Sequence, residues 1–100
     1  MSPDARSWLA ARSVPPPDVM TSWLEVEAEG ASPIWESLTH AGVASLSRAR
    51  SAPGRVRESA YHLLRADALL TYACEAAVET SPDPDAALGW ILDTVGARRR

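Results

Sequence analysis

Two glutamate–histidine pairs carry the residue types best suited to hold a metal. Glu36-Ser37-Leu38-Thr39-His40 and Glu58-Ser59-Ala60-Tyr61-His62 share the pattern Glu-Ser-x-x-His. On a helix, an i,i+4 spacing puts both groups on one face. Two such pairs on facing helices would form a cage of two carboxylates and two imidazoles for a divalent ion. The helical wheel points the other way. It sets Glu36 and His40 opposite Leu38, and Glu58 opposite Leu63, so solvent-side ion pairs are expected, with a metal between subunits as the second reading. Asp67 stands out for a different reason. On the wheel it falls among Leu63, Leu64 and Leu70, in the middle of an apolar face. A carboxylate buried there must find donors or take up a proton, because an unpaired buried charge is very costly. The expectation is a buried Asp67 held by a structural hydrogen bond. The alternative is an acid or ligand-orienting group in an interhelical pocket.

Arg57 and His62 have the Arg-x-x-x-x-His spacing, which resembles the signature of HEPN-type ribonucleases, all-helical dimers. The resemblance covers two residues. The position after the arginine, commonly Asn, Asp or His in that family, is Glu58 here, and Arg57 and His62 fall on different sides of the helix. No catalytic role is carried over. The Glu/His pairs resemble carboxylate-bridged di-iron bundles only superficially. Those use Glu-x-x-His at i,i+3, pointing inward, and this chain has none. There is also no glycine-rich phosphate loop and no nucleophile elbow, and neither histidine pairs with a Ser or Cys and an acid. The lone Cys74 excludes an internal disulfide and an all-cysteine zinc site, and its place on the apolar face suggests an inert small hydrophobe. The expectation is a protein that is not an enzyme and carries no cofactor.

Charge is segregated. Glu25, Glu27, Glu29 and Glu36 form an acidic zone. Arg48, Arg50, Arg55 and Arg57 form a basic zone around Ser51-Ala52-Pro53-Gly54. The basic zone reads first as solvated surface complementing a helix C-terminus. Anion binding at the start of the following helix, or charge-matched contact with another copy, are the functional readings. All ten basic residues are Arg, three of them at 98–100, and the net charge is −3. An acidic body with a short basic tail is a poor match to nucleic acid.

Helices must position these groups. Proline after Ser or Asp marks a helix start, and Ser2-Pro3, Ser32-Pro33 and Asp83-Pro84 all fit, with Pro17-Asp18 and Pro53 at further starts. Gly30 and Gly96 stand where C-caps would fall. No stretch alternates with period two for long enough to argue a strand. Five helices are expected, over 3–12, 18–29, 33–50, 54–80 and 84–95. Val14-Pro15-Pro16-Pro17 reads as a stiff connector after the first. The fourth is expected to be a long central post. Its larger apolar face would carry Val56, Ala60, Leu63, Leu70, Cys74, Ala77 and Val78, and a smaller flank His62, Ala66, Leu69 and Ala73. Gly42 would permit close approach, and the tryptophans would plug the core. Away from Leu63, the stripe Tyr61, Arg65, Ala68 and Tyr72 is the candidate partner surface, because Tyr and Arg are enriched at interfaces. The competing reading packs that stripe beneath another helix.

The chain has 100 residues, 46% of them apolar, enough for one domain and too apolar for full disorder. No apolar run is long enough to span a bilayer, and no secretory leader is visible. Arg and Ala richness without Lys or Asn points to a GC-rich, bacterial coding sequence. The sequence therefore predicts an all-α, single-domain bundle of five helices over 1–100, with 1–17 as an N-terminal helix plus connector and 98–100 as a basic tail. The expected role is a cytoplasmic protein-interaction or regulatory module that self-associates as a homodimer, through Tyr61, Arg65 and Tyr72. A small chain buries a limited fraction of its surface, which is a physical reason to expect the dimer. The alternative is a ligand- or metal-binding helical protein using Asp67 or the Glu/His pairs.

Overall fold

A computed structural model describes residues 5–12, 33–51, 54 and 56–97. Its helices are α1 (Ala5–Ala10), α2 (Ile34–Arg50), α3 (Val56–Thr80) and α4 (Pro84–Ala97). No strand occurs among the described residues. The all-α class holds, and the described residues form four helices of the five expected over the whole chain. The expected helix over 18–29 lies outside the described residues, as do the connector Val14–Pro17, Arg55 and the tail 98–100.

Local chemistry explains the helix ends. The extended backbone of Pro33 (φ −58°, ψ 150°) launches α2. Its carbonyl accepts the amides of Glu36 and Ser37. Asp83 caps α4 as its sequence suggests: its side-chain oxygen accepts the Ala86 amide at 3.2 Å. At the C-terminal end of α2, the Ser51 amide reaches back to the Ser47 and Arg48 carbonyls. Gly54 then takes φ +83°, a left-handed value that glycine adopts without a steric penalty. Gly96 is not a cap. It lies within α4, which runs on to Ala97.

The main contact joins α2 to α3, antiparallel neighbours, and α4 packs on both. The α2–α3 seam is built from small residues. Ala66, Ala73, Ala76 and Ala77 of α3 are buried with Leu69, against Ile34, Leu38 and Gly42 of α2. A Cβ on Gly42 would lie 2.8 Å from Leu70 Cγ, so the close approach expected there is real. Trp8 and Leu9 of α1 and Ala87 and Ile91 of α4 close the same core.

The long helix expected over 54–80 runs over Val56–Thr80, and its packing corrects the expectation of a central post. It buries Ala66, Leu69 and Ala73 of the smaller flank together with Ala77 of the larger face, and turns Val56, Ala60, Leu63, Cys74 and Val78 outward. Leu63 is 51% and Leu64 is 56% exposed. Alanines let the two backbones come close, and the fully buried Leu38 and Leu69 pack among them.

Candidate functional site

Asp67 is exposed, contrary to the expected burial. It sits on the outward face of α3, where its backbone carbonyl accepts the Thr71 hydroxyl at 2.7 Å. Water solvates its carboxylate, so neither a buried structural bond nor a pocket acid is needed to explain it. Cys74 is exposed on the same face, correcting its expected place in the core.

The stripe Tyr61, Arg65, Tyr72 is not a single open surface. Arg65 turns toward α2, where its guanidinium donates to the Ser45 hydroxyl and, at 3.4 Å, to the Ala41 carbonyl. Ser45 is fully buried, so this bond satisfies a polar group inside the seam. Tyr72 packs edge-on against Trp8 of α1, with ring centroids 6.2 Å apart. Tyr61 alone stays at the surface, its ring against His62.

The Trp8–Tyr72 contact belongs to a clamp that holds α1. Trp8 Nε1 donates to Glu79 Oε2, and Arg12 bridges Glu75 and Glu79 while its guanidinium lies 4.4 Å from the Trp8 ring centroid. The hydrogen bond to Glu79 is the main influence raising the Arg12 pKa. Partial desolvation opposes it, and the negative charges of Glu79 and Glu75 add to it. The sequence gave Arg12, Glu75 and Glu79 no role and Tyr72 a different one, because the groups come from opposite ends of the chain.

The two Glu/His pairs stay apart in role. His62 Nε2 lies 3.9 Å from Glu58 Oε1, the loose i,i+4 pair the wheel suggested. Its Nδ1 is buried without a hydrogen-bond partner. His40 is exposed and packs edge-on against Trp90 of α4 at 5.4 Å. Among the described residues, no group of three or more His, Cys, Asp or Glu side chains could hold a metal ion. Of the basic zone, Arg48, Arg50 and Arg57 are exposed, in keeping with a solvated surface.

What the structure brings together instead is an apolar stripe along the outward face of α3. At about 3.6 residues per turn, Val56, Ala60, Leu63, Leu64, Asp67, Thr71, Cys74 and Val78 share that face. Val56 is 80% and Val78 58% exposed, and Asp67 is the stripe's one charge. The helical wheel set Val56, Ala60, Leu63, Cys74 and Val78 of this stripe on a face expected to be buried, with Asp67 among them; of the other two residues on that face, Ala77 is buried and Leu70 half-buried. No described helix is long and apolar enough to cross a membrane. No protein-family model, curated protein or solved structure matches the chain.

Proposed function

We propose that this chain is a protein-interaction module without chemistry of its own, and that the outward stripe of α3 is its contact surface. The carrying observation is the exposure of Val56, Leu63, Leu64 and Val78 in one line on the longest helix. Single exposed apolar residues are ordinary, but a contiguous row is a feature of interaction sites. The stripe replaces Tyr61, Arg65 and Tyr72 as the proposed surface, because Arg65 and Tyr72 are engaged within the fold. Asp67 and Thr71 give an otherwise greasy face two polar positions from which a partner can be oriented.

Cys74 lies within the stripe and reports on it. In dilute full-length protein, Cys74 should react with a bulky maleimide about as fast as a thiol in the unfolded chain. Slow labelling at every protein concentration would mean that the chain covers its own stripe, and the reading would fail.

A further inference from the structure

Resting on that reading of the stripe, we infer that its occupant is a second copy of this chain, with the two α3 helices antiparallel about a twofold axis near Asp67. The charges bordering the stripe carry the argument. Arg57 and Glu75 lie on one line along α3, and Glu79 lies one turn beyond Glu75 on the same flank. An antiparallel twofold pairing sets the same flank of each helix together with opposite ends matched. Each Arg57 then meets Glu75 and Glu79 of the second copy, and the contact occurs twice. Arg57 is exposed and has no ion-pair partner among the described residues. Glu75 and Glu79 are half exposed, and the contacts they receive from Arg12 and Trp8 all fall on Oε2. A carboxylate has further acceptor sites to offer.

The apolar positions obey the same symmetry. Val56 and Val78 are equally distant from Asp67 along the helix and fall opposite each other, while Leu63 and Leu64 face Leu70 and Thr71. The arrangement has one built-in opposition, because the two Asp67 carboxylates meet near the axis. Like charges at an interface are unfavourable. Size also limits the contact. Helix α3 has 25 residues, so its face is about 37 Å long and about 10 Å wide, roughly half of the ~800 Å² that each partner buries in a standard interface. The dimer is accordingly weak and fast-exchanging, held back by Asp67.

Sedimentation equilibrium on the full chain, run in parallel with Cys74 labelling, tests this. The wild type should pass from monomer to dimer as concentration rises toward the millimolar range, and Cys74 labelling should slow with it. Asp67→Asn should tighten the dimer by about fivefold or more. Arg57→Glu should loosen it at low salt, with the difference fading at about 1 M salt. Leu64→Asp should hold the chain monomeric while its circular dichroism stays native. A monomer at all concentrations with rapid labelling throughout would overturn the self-pairing and leave the stripe open to other proteins. Slow labelling throughout would overturn the stripe itself. A dimer indifferent to both Asp67→Asn and Leu64→Asp would place the contact elsewhere and also overturn the inference.

Discussion

Trp8 Nε1 donates a hydrogen bond to Glu79 Oε2 at 3.2 Å, joining residues 71 positions apart. With Arg12 on the same carboxylate, this contact fastens a six-residue helix to the far end of the longest one. A helix that short does not persist in water alone, so α1 depends on its dock. Glu79→Ala should release it. The global cost should be at most about 1 kcal/mol, because the ion pair is largely exposed and screened. The local effect should be large: tryptic cleavage after Arg12 should accelerate well before the rest of the chain becomes susceptible.

The orientation of α3 has a sharp consequence for stability. Leu69→Ala empties a fully buried site and should cost about 2–5 kcal/mol in urea unfolding. Leu64→Ala, on the exposed side, should change stability by less than about 0.5 kcal/mol, and so should Asp67→Ala. Equal large losses at Leu64 and Leu69 would contradict the observed rotation of the helix.

Gly42 tests the closeness of the seam. An added Cβ would lie 2.8 Å from Leu70 Cγ, 2.9 Å from Leu70 Cδ2 and 3.4 Å from Leu69 Cβ. The half-buried Leu70 can yield to a methyl group, and alanine gains about 1 kcal/mol of helix propensity over glycine. Gly42→Ala should therefore be close to neutral. Gly42→Leu has no such room and should destabilise by about 1–3 kcal/mol, measured by the same unfolding curves.

Arg65 and Ser45 should be coupled. Removing either side chain leaves the other's polar group short of a partner in the α2–α3 seam. A double-mutant cycle with Arg65→Ala and Ser45→Ala should return a coupling of about 1 kcal/mol. Arg65→Met, which keeps much of the aliphatic stem, should recover part of the packing but none of the coupling.

Much of the secondary structure was legible. Pro33 and Asp83-Pro84 mark the starts of α2 and α4 to within a residue, because proline's fixed backbone angle and the aspartate's acceptor act locally. The 3.6-residue period grouped most of the side chains on α3 that share a face, but it put the buried Ala77 with the exposed Val56, Leu63 and Val78. It did not say which group faces inward, since both faces are apolar. Counting hydrophobic bulk ranked the face of Leu63, Leu70 and Val78 above the flank of Ala66, Leu69 and Ala73. That choice carried Asp67 and Cys74 into the core on paper.

The sequence by itself determined an all-helical chain, several helix boundaries, the close approach at Gly42 and the absence of any familiar catalytic pattern. Only the tertiary structure decided the rotation of α3, and with it whether Asp67 meets water and which residues stay available to a partner. The reason is physical. Propensities and caps depend on neighbours a few positions away, whereas the rotation of a two-faced helix depends on the shape of what packs against it. Here Gly42 of α2 lets Leu69 and Leu70 approach closely, and Ala66, Ala73, Ala76 and Ala77 of α3 are buried beside them.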